Sequence, residues 1–182
     1  MKKIILSYFF ACVFVNAFSQ NYLTRNGNIS FYSHTPLEEV KAQNNEAVSV
    51  LNSATGDIEF RIAVKSFHFV KTAMEEHFND DDYMASEKYP KAGFKGKISN
   101  ISAVDFSKDG TYKVSVSGDL TIRDVTKPIT ADGTITVKGG VVTVNSIFNV
   151  KRKDYNVIGE SFVQSKISDD IQITVNCEYE KQ

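Results

Sequence analysis

The sequence predicts an all-β protein whose strands run antiparallel. Apolar and polar residues alternate over most of the chain, and turn residues separate the alternating runs. The alternation is interrupted over a long stretch in only two places, the N-terminal segment and residues 74–90. The repeated helices that a parallel sheet requires are missing. Long strands with one apolar face must bury that face, either in a sandwich or in a closed barrel.

The N-terminal segment has the pattern of a secretory signal peptide. Two lysines precede an almost continuously apolar run over residues 4–15, and Ala17 and Ser19 supply the small residues that a signal peptidase reads. The apolar run is shorter than the roughly 20 residues of a membrane-spanning helix. We therefore expect residues 1–19 to be cleaved as a signal peptide. Residues 20–182 would then be a single exported domain, periplasmic or secreted, with no transmembrane segment.

Charge and cysteine content restrict the function further. The predicted leader holds two of the 21 basic residues and none of the 22 acidic ones, so the mature chain is slightly acidic. Its lysines are spread singly, which argues against nucleic-acid binding. Cys177 is the only cysteine outside the leader, so no intramolecular disulfide can form in an oxidising compartment. Lipidation at Cys12 is the weaker alternative, because Phe9 occupies the position where that signal usually has Leu.

The alternating runs predict about eight strands. Ile29 and Phe31 alternate with polar neighbours, and the next run is apolar at positions 58, 60, 62 and 64. The longest run covers residues 113–123, about twice the usual strand length of five or six residues. Three further runs lie at residues 135–137, 142–144 and 171–179.

Short turn signals join these runs as an antiparallel meander. They are Ala54-Thr55-Gly56, Asp109-Gly110 and Gly139-Gly140, and the last of them supplies the positive φ angles of a tight hairpin. A closed barrel of eight strands can hold one small ligand. The meander therefore favours a barrel with a ligand-sized interior.

The helical interruption is interpreted as a cap over that interior. A short helix is expected to begin near Thr72, with Thr72 and Glu75 as a capping box and with Met74, His77 and Phe78 on one stripe. Flexible Met and flat aromatic side chains adapt to an apolar chain. The alternative is a plug that only closes one end of the barrel.

Catalytic and metal-binding patterns are absent from the sequence. His34, His68 and His77 form no H-x-H or H-E-x-x-H spacing, and the acidic run 79–82 lacks the Gly and distal Glu of a calcium loop. There is no G-x-S-x-G motif, and Cys177 has the apolar parity of a core residue. We predict no enzyme activity, no cofactor and no metal. A pair of carboxylates brought together in space stays open as a hydrolytic alternative.

Two longer motifs resemble the YceI-like domain family. The first runs from His77-Phe78 through Tyr83-Met84-Ala85-Ser86-Glu87-Lys88-Tyr89-Pro90 and is followed by Phe94. The second is Gly118-Asp119-Leu120-Thr121-Ile122-Arg123-Asp124-Val125-Thr126-Lys127-Pro128-Ile129. Arg152-Lys153-Asp154-Tyr155 is similar to a later turn of the family. The chain departs from the family pattern where it has Arg123 for His and Asp124 for Gly.

The resemblance implies an eight-stranded antiparallel lipocalin-like β-barrel with a short helical cap. It also implies an exported protein that holds an isoprenoid or other long lipid, without catalysis. The alternative is a structural or partner-binding module with a packed interior. His77, which lies in a family motif, is the candidate for a polar head-group contact, and exposed aromatic residues are compatible with a homodimer. The candidate ligand-binding residues, on the strand walls and in the cap, are Phe31, Phe60, Ile62, Phe67, Phe69, Met74, His77, Phe78, Tyr83, Met84, Tyr89, Phe94, Val116, Leu120, Ile173 and Val175.

Overall fold

The computed structural model describes residues 20–161 and 164–182. The predicted signal peptide, residues 1–19, lies outside the described residues. The described chain forms nine strands and one α-helix, in the order β1 (Asn21–His34), β2 (Glu39–Asn52), β3 (Asp57–Ala63), β4 (His68–Phe69), α1 (Thr72–Asn79), β5 (Lys91–Ile98), β6 (Gly110–Ile122), β7 (Val125–Lys138), β8 (Val141–Lys151) and β9 (Asp170–Lys181). Short 3-10 turns connect several of these elements.

Eight of the strands close into an antiparallel barrel. Each strand from β5 to β9 pairs with its sequence neighbour, β9 pairs with β1, and β1 pairs with β2. The ring is completed by β3, which pairs with β2 on one side and β5 on the other. The two-residue β4 pairs with β2 beyond the residues that pair with β3 and is not one of the eight ring strands. The predicted all-β, eight-stranded barrel with one short helix is confirmed.

The predicted turns join adjacent strands at one end of the barrel. Gly139 and Gly140 are the two residues between β7 and β8, and their φ angles are +57° and +83°. Two positive φ angles in a two-residue loop match the right-handed twist of the flanking strands. The Asn52 side chain accepts hydrogen bonds from the Ala54 and Thr55 amides, at 3.0 Å each, and shapes the turn between β2 and β3.

The barrel is packed solid at the end where β1 begins and β9 finishes. Large side chains from five strands and a connecting loop are fully buried or nearly so there: Tyr22, Leu51, Val104, Ile135, Val137, Val142, Cys177 and Tyr179. The Ser49 and Tyr179 hydroxyls lie 2.6 Å apart, so the most buried phenol keeps a partner. This end provides the hydrophobic core that a barrel without disulfides needs.

The helix α1 lies across the opposite end of the barrel. It begins at Thr72, as predicted, but the capping box is wrong. Lys71 is the N-cap and gives no side-chain cap hydrogen bond. Glu75 instead accepts a hydrogen bond from the Phe69 amide at 3.1 Å and so ties the helix to β4. His77 is mostly exposed, so only Met74 and Phe78 of the predicted stripe are half-buried.

Candidate ligand cavity

The capped half of the barrel encloses a cavity of about 360 Å³. All eight strands of the ring contribute to its wall, and apolar side chains make up most of the lining. The strand walls therefore do not meet in this half, in contrast to the packed end. A volume of this size lies within the roughly 300 to 1,000 Å³ of small-molecule sites. The cavity is the candidate binding site of the protein.

A cluster of four phenylalanines closes the cavity beneath α1. Phe31 of β1 contacts Phe67, Phe69 and Phe78, with ring centroids 5.4, 5.7 and 5.5 Å apart. Phe78 of α1 also contacts Phe67 at 5.7 Å and Phe69 at 5.1 Å. Offset and tilted ring pairs at these distances are attractive in addition to their burial. The cluster therefore fixes the helix to the wall through the Phe78 ring.

Arg123 joins the segment after α1 to the loop that follows β8. Its Nη1 donates to the Tyr83 carbonyl at 2.6 Å and to the Asn156 carbonyl at 2.7 Å. A parallel link runs from the Gly159 amide to the Asp82 carbonyl, at 2.9 Å. Arg123 itself has a φ of +55° in the two-residue hairpin between β6 and β7. The residue that departs from the family's His thus holds two loops together over the cavity.

Arg152 is a buried cation in the cavity wall. Its guanidinium donates to the carbonyls of Ser168, Val157 and Ile158, and its Nη2 lies 3.1 Å from Asp169 Oδ1. A hydrogen bond from Lys153, followed by the charges of Lys153 and Arg152, lowers the pKa of Asp169 below its ordinary value. The hydrogen-bond donors of Arg152 therefore bind the loop after β8, and Arg152 stabilises the rim of the cavity.

Few other charged groups reach the cavity. Glu38 and Lys166 lie at its edge, and Glu38 Oε1 is 3.4 Å from Lys71 Nζ. Ser33 is buried and accepts a hydrogen bond from the Ser168 amide at 2.9 Å. The charged groups therefore gather at the capped end, while the deeper wall is apolar except for Asn145 and Ser146 of β8. Such a site suits an apolar chain with a polar group near the rim.

The structure brings together all but one of the predicted ligand-binding residues. Tyr89 lies outside the cavity lining, beneath the Arg123 guanidinium at 5.5 Å from the ring centroid. His77 borders the cavity but is exposed, and its Nδ1 lies 3.3 Å from Asp80 Oδ2. The residues that line the cavity as predicted are Phe31, Phe60, Ile62, Phe67, Phe69, Met74, His77, Phe78, Tyr83, Met84, Phe94, Val116, Leu120, Ile173 and Val175.

Sequence reasoning missed the wall formed by β7, the end of β8 and the loop beyond it. These residues are Ile129, Ala131, Phe148, Val150, Arg152, Tyr155 and Val157. Ile171 of β9, which pairs with Val150, was missed as well. Parity alone would have found Phe148 and Val150, which continue the apolar positions 142 and 144 of β8. Tyr155 and Val157 lie beyond the strand, where no periodic signal exists.

No metal-binding group forms among the described residues. Within those ranges no three His, Cys, Asp or Glu side chains lie close enough to hold an ion. The three histidines are exposed and each lies beside a single carboxylate, at 3.3 to 3.5 Å. In the described part of the chain, no helix is long and apolar enough to span a bilayer.

A closed barrel with one apolar internal cavity is the architecture of the lipocalin-like class of β-proteins. The chain belongs to the YceI-like domain family, whose model matches residues 22–179. Protein YceI of Escherichia coli is 28% identical over 88 residues, 48% of this chain and 42% of that protein. A UPF0312 protein of Photorhabdus laumondii is 32% identical over 78 residues, 43% of this chain and 36% of that protein. The matched stretches thus span less than half of either relative.

Solved structures support the same fold. A polyisoprenoid binding domain from Saccharophagus degradans, implicated in plant cell wall breakdown, aligns with a TM-score of 0.77 and 14% identity over 90% of this chain and 99% of that one. BcnA of Burkholderia cenocepacia aligns with a TM-score of 0.70 and 21% identity over 85% of this chain and 96% of that one. The YCEI protein of Campylobacter jejuni aligns with a TM-score of 0.64 and 23% identity over 82% of this chain and 90% of that one. At these identities the likeness concerns the fold.

Proposed function

We propose that this protein is an exported carrier that holds an isoprenoid or similar long apolar chain in the cavity and performs no chemistry on it. The observation that carries the proposal is the apolar cavity of about 360 Å³ in a barrel whose other half is packed solid. The polyisoprenoid binding domain among the structural neighbours supports this class of ligand. Export is supported by the signal-peptide pattern of residues 1–19.

The physical basis of binding is the removal of hydrocarbon from water. Each methylene-sized unit contributes about 0.8 kcal/mol on burial. Because the cavity is preformed, the wall loses little conformational entropy when an apolar chain enters. The polar rim near Glu38 and Lys166 leaves room for a hydrated head group at the capped end. A lipid of one apolar tail and one polar end fits this distribution.

Native mass spectrometry of gently purified protein tests the proposal. We expect an adduct of one hydrophobic molecule per chain, which solvent extraction releases. The mass of the protein itself should be that of a chain beginning at Gln20. A chain that emerges ligand-free from its native host, and that also takes up no isoprenoid from vesicles, would contradict the carrier function. A mass that includes residues 1–19 would contradict export separately.

A further inference from the structure

The barrel wall has an unpaired stretch between β7 and β8. Their ladder runs from Lys138 opposite Val141 to Gly133 opposite Ser146 and ends there. In the same register residues 128–132 would face residues 147–151, but these positions have no partner in the β7–β8 ladder. β7 still pairs with β6 along this stretch, and β8 still pairs with β9. We call the gap between residues 128–132 and 147–151 the window.

The window is bounded at both ends. At the hairpin side, the Ser146 hydroxyl donates to the Asp132 carbonyl at 2.7 Å. At the cap side, Lys127 Nζ lies 3.4 Å from Asp154 Oδ1, in the turn that follows β8. Five unpaired positions at about 3.3 Å each give the window a length of about 16 Å. Pro128 lies on the β7 edge of the window, and a strand edge tolerates a residue without a backbone N–H.

The cavity extends to both edges of the window. Ile129 and Ala131 line it from β7, and Phe148 and Val150 line it from β8. Ile129 and Phe148 are only half-buried, although the strand parity turns them inward. The unpaired backbone groups of two strand edges require water, so the outer side of the window is solvated. An apolar interior thus lies directly behind a stretch of the wall that has no β7–β8 ladder pairs.

The capped end is closed more firmly than the window. The four-phenylalanine cluster anchors α1, and Arg123 and Gly159 bond the segment after α1 to the loop beyond β8. Opening that end separates the ring pairs between buried Phe67 and its half-buried neighbours and breaks several hydrogen bonds at the same time. At the window Ala131 and Val150 are buried while Ile129 and Phe148 are half-buried, but no β7–β8 ladder pair has to separate there. The one ion pair across it, Lys127 with Asp154, is exposed and contributes little stability.

From this contrast we infer that the apolar chain of the ligand enters and leaves sideways, through the window between β7 and β8, while the cap stays in place. The inference rests on the proposed carrier function and adds its route. The window passes a hydrocarbon tail because its inner rim is apolar.

The test ties the two edges of the window together across the outside of the wall. Thr130 and Asn149 are exposed and face each other in the extended register. Thr130→Cys with Asn149→Cys, bridged by a short bismaleimide, narrows the window at its middle. Cys177 is buried and does not compete for the reagent, and Cys12 is replaced by Ser. The probe is retinol, a fluorescent isoprenoid alcohol, exchanged between the protein and phosphatidylcholine vesicles.

Two tethered controls separate the window from the rest of the barrel. Thr136→Cys with Thr143→Cys bridges the same strands where they are already paired. Lys65→Cys with Glu87→Cys replaces an exposed ion pair and ties the segment after α1 to the wall. We expect the window tether to slow both uptake and release of retinol by about tenfold or more, as closure of an access route does, with the Kd little changed. The two control tethers should leave both rates unchanged.

Unchanged rates with the window tether would overturn the route and leave the carrier function standing, and slow exchange with the cap tether would assign the route to the cap. Failure of the untethered protein to bind either retinol or a native lipid would overturn the proposed function, and the route with it.

Discussion

Cys177 is a buried thiol at the packed end of the barrel, next to Gly27 and Ala47. Burial raises the pKa of this thiol to about 12. In the unfolded chain the same thiol titrates near its ordinary value of about 8.5. Between these two pKa values the unfolded state loses a proton that the folded state keeps. The contribution of this thiol to the free energy of unfolding is therefore complete below the lower pKa and decreases as the pH rises towards the upper one.

We expect the Cys177→Ala variant to lose this component of the alkaline response. Its free energy of unfolding should fall less steeply than that of the natural chain between about pH 9 and 11, by about 1.4 kcal/mol per pH unit. Urea titrations followed by circular dichroism at several pH values measure the slope. Val142→Ala, which empties an equally buried site without removing a thiol, should lower stability equally at every pH. Parallel slopes for Cys177→Ala and the natural chain would contradict the assignment.

At the scale of the element, β5 and β6 approach each other closely where Gly96 pairs with Gly118. These glycines face each other in the ladder, and the Phe94 ring lies over Gly96. A Cβ added to Gly118 would clash with the backbone of Gly96 and Lys95. The absence of side chains at this pair therefore lets the aromatic ring lie flat against the cavity wall.

The Gly118→Ala substitution should separate β5 from β6 locally. We expect a loss of about 1 to 3 kcal/mol in unfolding free energy, the usual cost of overpacking, because rigid backbone atoms must move. Ser117→Ala on the same strand is the control, since Ser117 is exposed and bonds only the Thr130 hydroxyl. Thermal and urea unfolding measure both variants. Equal stability of the two would show that the strands can move apart without strain.

At the scale of the whole molecule, the barrel divides into a solid half and a hollow half. The solid half supplies the stability, and the hollow half, with its cap and rim, supplies the volume for a guest. A ligand that binds only the folded state adds RT ln(1 + [L]/Kd) to stability, so loading and folding are coupled. Lipid extraction should consequently lower the melting temperature without altering the strand content.

Filling the hollow half tests that division directly. Val116→Trp and Leu120→Trp place indole rings in the cavity, whereas Ser117→Trp places one on the outer face of the same strand. We expect retinol binding to be lost in the first two variants and kept in the third. Unfolding free energies should stay within about 1 kcal/mol of the natural chain, because a void accepts volume that a packed core rejects. Unfolding of both cavity variants would indicate that the interior collapses and packs in solution.

The sequence by itself determined which side chains face inward. Phe60, Ile62 and Leu120 were identified from parity alone, because successive residues of a strand point to opposite faces. The turn at Gly139 and the helix start at Thr72 were also local signals. The role of Glu75 was missed because its partner is the Phe69 amide of β4 and not the first turn of the helix.

Only the tertiary structure decided that the inward faces leave a cavity, and where its wall lacks ladder pairs. Parity gives the direction of a side chain but not the distance to the opposite wall, which depends on the closure and stagger of eight strands. Arg123 links residues 40 and 33 positions away, Arg152 bonds the Ser168 carbonyl beyond the next loop, and the β7–β8 ladder ends before either strand does. No periodic pattern records such contacts, because they form only when the barrel closes.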